Sequence, residues 1–110
     1  MSFKVNGNTI YLTRGDTFKA HLTINNPDGS VYTPVEGDKI RFALKENVED
    51  EECLILRDIP IDTMLLTIYP GDTKELDFGT YIYDVQITKA NGDIDTFITA
   101  SKLKLTVEVE

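Results

Sequence analysis

The sequence predicts an all-β chain: one antiparallel β-sandwich of roughly seven to nine short strands, closed without a disulfide. Three observations lead there. Apolar residues recur at every second position through most segments, the spacing of a strand with one buried face. Gly, Pro, Asn and Asp cluster between those segments at intervals of about 8–12 residues, as in all-β domains. Nowhere does the 3.6-residue period of an amphipathic helix persist.

Phe3 and Val5 start a short edge strand that Asn6-Gly7-Asn8 ends. Residues 9–13 follow with Ile10 and Leu12 on one face, and Arg14-Gly15-Asp16 turns the chain. Residues 17–25 then alternate, Phe18, Ala20, Leu22 and Ile24 one way and Lys19, His21 and Thr23 the other. That pattern is a half-buried strand and puts the single His toward solvent. Asn25-Asn26-Pro27-Asp28-Gly29 is dense turn chemistry, because Pro presets one dihedral and Gly admits a positive one. After Pro34 and a break at Glu36-Gly37-Asp38, residues 39–45 alternate again, with Ile40, Phe42 and Leu44 inward and Lys39, Arg41 and Lys45 outward.

The acidic run Glu46, Glu49, Asp50, Glu51 and Glu52 has no apolar face and reads as a solvated loop. Leu54 and Leu56 begin the next strand, closed by Arg57-Asp58-Ile59-Pro60; both alternating sets are apolar, so either face suits the core. Met64, Leu66 and Ile68 form the next inward set, ended by Tyr69-Pro70-Gly71-Asp72, and residues 73–76 read as one helical turn. Asp77-Phe78-Gly79-Thr80 then leads into Tyr81, Tyr83, Val85 and Ile87, the strand around which the others are arranged. Asn91-Gly92 is the strongest hairpin signal in the chain and returns it into residues 93–99. Leu103, Leu105, Val107 and Val109 make a last alternating strand.

A chain of 110 residues can fill one core but not two, so residues 1–110 are expected to form one domain. Trp is absent, which leaves 5 Tyr and 5 Phe to supply the aromatic part of that core. One Cys cannot form an internal bridge, and Cys53 in Cys53-Leu54-Ile55-Leu56 reads as a small buried hydrophobe. Such a fold suits a reducing cytoplasm. The first residues lack the apolar stretch of a signal peptide, and no run approaches the ~20 residues of a membrane helix. A net charge of -8 argues against a phosphate-tracking surface, so neither nucleic acid nor membrane is an expected partner.

Chemistry is hard to place on this chain. Nucleophilic catalysis needs a Ser, Cys or Thr beside a base, and the one outward His offers no triad. Zinc takes three or four Cys and His ligands, while the chain has two such residues in all. The acidic run lacks the Asp-x-Asp-x-Asp-Gly spacing that orders ligands around calcium. Carboxylates fall in turns and on outward faces, without the pairing that glycosidases need. Arg14-Gly15-Asp16 matches the integrin tripeptide, but a Gly-Asp turn between strands explains it. The expectation is a non-enzyme with no catalytic residue, no metal site and no cofactor.

Asp77-x-Gly79-x-Tyr81 entering a strand is similar to the corner before strand F of immunoglobulin-like sandwiches. That likeness implies an immunoglobulin-like architecture in which the Tyr81 hydroxyl returns to upstream backbone. Tyr83 stands where an antibody domain carries its second Cys. A wider likeness runs through Leu12-Thr13-Arg14-Gly15-Asp16-Thr17-Phe18, Asn26-Pro27-Asp28-Gly29 and Lys39-Ile40-Arg41-Phe42-Ala43-Leu44. It continues in Leu66-Thr67-Ile68-Tyr69-Pro70, Gly79-Thr80-Tyr81-Ile82-Tyr83-Asp84-Val85 and Leu105-Thr106-Val107. On these turns and core strands the chain resembles small β-sandwich structural proteins of tailed phages and prophages of Gram-positive bacteria. The nearest likeness is to the N-terminal domain of phage baseplate upper proteins. Ala100-Ser101-Lys102 departs from it, since the family often has Gly before the last strand.

The resemblance implies a virion component of tail or baseplate, made in the bacterial cytoplasm, whose partners are other phage structural proteins and further copies of itself as a homo-oligomer. Exposed sheet edges, or an apolar face carrying Leu65 and Tyr69, would provide the contact. The other expectation is a carbohydrate- or cell-surface-binding module using Tyr11, Tyr32 and Tyr69 as a sugar platform.

Overall fold

The computed structural model describes residues 3–107. β1 (Phe3–Asn6) and β2 (Thr9–Thr13) form a hairpin about Gly7, whose φ of 63° suits a residue without a side chain. β3 (Phe18–His21) follows, then the two-residue strands β4 (Ile24–Asn25) and β5 (Val31–Tyr32). β6 (Lys39–Lys45), β7 (Ile55–Ile59) and β8 (Leu65–Ile68) lead to a one-turn helix, α1 (Pro70–Thr73). The long strands β9 (Gly79–Thr88) and β10 (Ile94–Thr106) complete the series. Eight of the strands reach four residues, so the all-β expectation stands, with β4 and β5 as short additions.

The strands form two layers. A six-stranded sheet runs in the order β1-β2-β10-β9-β6-β7, and the small pairs β3-β8 and β4-β5 face it. Ile10, Leu12, Ile40, Phe42, Leu44, Tyr83, Val85, Ile87, Leu103 and Leu105 from the large sheet share one buried cluster with Phe18, Ile24, Leu66 and Ile68 from the small ones. Each fully buried aliphatic side chain contributes roughly 2 kcal/mol, so this seam between layers holds the fold without covalent staples. Cys53 is free and half-buried, less enclosed than its apolar run suggests.

One pairing departs from the antiparallel rule. β10 lies parallel to β2, with Leu103 opposite Ile10 and Leu105 opposite Leu12. Parallel neighbours need a long crossover, and here the rest of the domain provides it.

Several element limits also differ from the sequence reading, each for a physical reason. Residues 17–25 do not make one strand. The Leu22 amide still donates to the Met64 carbonyl at 2.8 Å, but Ile24 has already moved to pair with Tyr32 in another sheet. The helical turn starts at Pro70 rather than Thr73. Pro is well placed at a first helical position, and the Asp72 carboxylate accepts from the Tyr69 amide at 2.7 Å, which caps the turn early. Residues 94–106 are one strand: Ala100 falls in the second of two bulges, and Ser101 and Lys102 already pair with Tyr83 and Ile82, so no turn forms there. Between Thr96 and Ile98, and again between Ile98 and Ser101, β10 has one residue more than β9. The expected inward Val109 lies outside the described residues.

Candidate functional site

Tyr81 is buried at the start of β9, and its hydroxyl donates to the Asp77 carbonyl at 2.6 Å. Gly79, at φ 147°, is the residue between them that bends the chain. The Asp77, Gly79 and Tyr81 corner therefore anchors β9 to the end of the α1 segment. Tyr83, two residues on, is buried too and donates to the Asn8 carbonyl, tying β9 to the turn before β2. Burial raises the pKa of both phenols, so each stays a neutral donor at any physiological pH.

One flank of the sandwich is closed by charge. Arg57, on the outer strand β7, forms a bidentate pair with Asp72, both contacts 2.8 Å. It also donates to the Thr67 carbonyl of β8 at 3.2 Å. A single guanidinium thus joins the large sheet, the small sheet and α1. The pair is partly buried, and Arg57 holds the Asp72 carboxyl below the ordinary carboxylate range. Sequence reading missed it because Asp72 sits inside turn chemistry and Arg57 at a strand end. The signal was there in one respect: Ile55 and Ile59 are the buried residues of β7, so Arg57 between them shares their side.

Asp38 is a second hidden tie. It is only 6% exposed and accepts from the Tyr32 hydroxyl at 2.6 Å, the Val35 amide at 3.0 Å and the Ala90 amide at 3.0 Å. Those bonds, the Tyr32 hydroxyl first, lower its pKa and join β5, the loop after it and the turn between β9 and β10. Gly37 beside it has φ 97°, and a Cβ there would lie 2.9 Å from that of Ala90.

The proposed sugar platform is not assembled. Tyr11 stands on β2, Tyr32 on β5 and Tyr69 just beyond β8, and each ring has a cation of its own chain beside it. Lys104 lies 5.5 Å from the Tyr11 centroid, Lys89 5.0 Å from that of Tyr32, and Arg57 5.2 Å from that of Tyr69. Arg14 of the Arg-Gly-Asp turn is likewise engaged within its own chain. Its guanidinium lies 4.1 Å from the Phe78 ring centroid and donates to the Leu76 carbonyl at 3.2 Å. The Gly15 amide meanwhile donates to Thr73 Oγ1 at 2.9 Å. Leu65 is half-buried on the outward side of β8, opposite His21, and Tyr69, just beyond β8, is 54% exposed.

The other flank is open. Among the described residues β3 pairs only with β8. Since Leu22 bonds toward β8, alternation turns the backbone groups of Lys19 and His21 the opposite way, where no described strand meets them. Beside that edge is a cleft of about 440 Å³ between the layers, walled by Ala20, Leu22, Ile10, Val85, Phe97 and Ile98. Ala20, Leu22, Phe97 and Ile98 are half-buried where a covering strand would bury them fully.

Among the described residues no group of three or more His, Cys, Asp or Glu is placed to hold a metal ion, and no helix is long and apolar enough to cross a membrane. No protein-family model matches the chain, and no curated protein matches it significantly.

Proposed function

We propose that this is a non-enzymatic virion structural protein of a tailed phage or prophage, of tail or baseplate, that works by self-association and by docking other virion proteins. The virion setting rests on the resemblance in the turns and core strands. The observation that carries the assembly half is the edge of β3, which no described strand pairs on its outer side, beside a cleft whose walls include the half-buried Ala20, Leu22, Phe97 and Ile98. Exposed edges invite another strand unless something covers them. The ties formed by Arg57, Asp38 and Tyr81 fit a rigid building block: each fixes loops or layers to one another.

Light scattering over a rising concentration series tests this reading, with electron microscopy of the largest species. The expected result is a mass that grows to a defined multiple of 12.4 kDa. A mass of one chain at every concentration would contradict it.

A further inference from the structure

We propose that the cleft between β3 and β10 is a binding site for an uncharged saccharide unit. The inference goes beyond the assembly reading and does not rest on it, since a single chain carries the whole site.

A backbone irregularity builds the floor of this cleft. Regular alternation along β10 would turn only one of Phe97 and Ile98 inward. The bulge between Thr96 and Ile98 leaves Phe97 without a partner on β9, and both side chains line the space between the layers. There they meet Ala20 of β3 and Leu22 just after it. The result is a half-buried apolar floor that includes one aromatic ring.

The rim is polar and uncharged. Asn8, Thr23 and Asn25 stand exposed around it, and among the described residues no hydrogen bond engages their side chains. Each of these amides and hydroxyls can both donate and accept. The outward backbone groups of His21 add one more donor and one more acceptor. No Asp, Glu, Lys or Arg lines the cleft, although those residues make up 27% of the chain. Four other clefts, of about 60, 240, 320 and 350 Å³, all have charged walls: Asp84 in the first two, Asp95 in the third and Glu75 in the fourth.

That combination selects the ligand. A phosphate or carboxylate would find no cation here, and an ammonium no carboxylate, so either would lose hydration without compensation. A wholly apolar molecule would strip water from the amides of Asn8 and Asn25 and leave them unbonded. A sugar ring matches both halves of the cleft. Its hydroxyls donate and accept toward the rim, and its C–H face packs on Phe97. At about 440 Å³ the cleft also falls among small-ligand sites, which run from about 300 to 1,000 Å³. Tyr11, Tyr32 and Tyr69 take no part, because none of them lines it.

The test uses the full-length chain, dilute enough that light scattering reports a single chain, so association does not contribute to the readout. Glucose, galactose and N-acetylglucosamine are titrated separately, with glucuronate and glucosamine as charged counterparts, and backbone amide shifts are followed. At least one neutral sugar should give saturable shifts centred on residues 8, 21–25 and 97–98, with the charged sugars binding about tenfold more weakly or worse. Phe97→Ala, and Asn8→Ala combined with Asn25→Ala, should each weaken that binding about tenfold, with thermal melts verifying that the variants are folded. No response to any neutral sugar at about 0.1 M, shifts centred elsewhere, an equal response to glucuronate, or unchanged binding in both variants overturns the site. Shifts at these residues with a Gly-Ser-Gly peptide and with no sugar overturn the saccharide assignment. None of these failures alters the mass expected of the assembling chain, so the two readings fail separately.

Discussion

The two flanks of the sandwich solve the same problem in opposite ways. On the β7–β8 flank a partly buried guanidinium spans the layers, bonding Asp72 on α1 and the Thr67 carbonyl on β8. On the β3 flank nothing described spans them, and a cleft of about 440 Å³ reaches the core beside unpaired backbone. The first flank commits a charge pair to internal rigidity; on the second, no described strand takes up the outward backbone groups of Lys19 and His21. Stability should therefore concentrate on one side and association on the other.

Truncation of core side chains gives the largest contrast. Phe42, fully buried on β6 next to β7 with its ring centroid 5.4 Å from that of Tyr83, should cost about 4 kcal/mol as Phe42→Ala. Phe97→Ala, half-buried at the open cleft, should cost about 1 kcal/mol. Urea unfolding of both variants measures the difference, and equal losses would remove the distinction between flanks.

Next is the charge bridge. Asp72→Asn should destabilise by about 2 kcal/mol, less than a fully buried pair because both partners retain some solvent contact. The same bridge sets an acid limit. Asp72 and Asp38 both have pKa values lowered from 3.8 in the folded state, Asp72 chiefly by Arg57 and Asp38 chiefly by the Tyr32 hydroxyl. The folded form therefore binds these protons less readily than the unfolded form. Their contribution is complete above the ordinary carboxylate value and is lost as pH falls through the lowered ones. Melting temperature should drop on acidification below about pH 4, and less steeply in Asp72→Asn.

Smaller effects test the ties. Tyr81→Phe removes the hydroxyl bonded to Asp77 and should cost about 1 kcal/mol in the same urea experiment. Gly37→Ala combines a positive φ with a 2.9 Å approach to Ala90 and should cost about 1–2 kcal/mol. Smallest of all, Lys19→Glu should leave stability within about 0.5 kcal/mol while altering association. A large loss of stability there would mean that the β3 edge is structural.

The contrast between flanks also explains what could be read from the sequence. β6 was legible to the residue, because Ile40, Phe42 and Leu44 differ sharply from Lys39, Arg41 and Lys45. β7 was not, because Leu54 and Leu56 are as apolar as Ile55; the structure leaves the two Leu exposed and buries Ile55. The break after His21 was invisible since Phe18, Ala20, Leu22 and Ile24 keep one phase while the chain changes sheets. Bulges in β10 hide for a related reason: one extra residue leaves no compositional mark at Phe97. Asp38 looked like any turn acid, although three donors converge on it. The open flank could not be read at all, since it is defined by the second neighbour that β3 lacks among the described residues.

Amide hydrogen exchange at β3, followed as protein concentration rises, tests the central claim most directly. In dilute solution Ala20 and Leu22, bonded toward β8, should exchange slowly, while Lys19 and His21 exchange fast. As the chain associates, Lys19 and His21 should become protected together with the half-buried residues Phe97 and Ile98. Protection of Lys19 and His21 already in the dilute monomer, or their continued rapid exchange in the assembled form, would contradict the account.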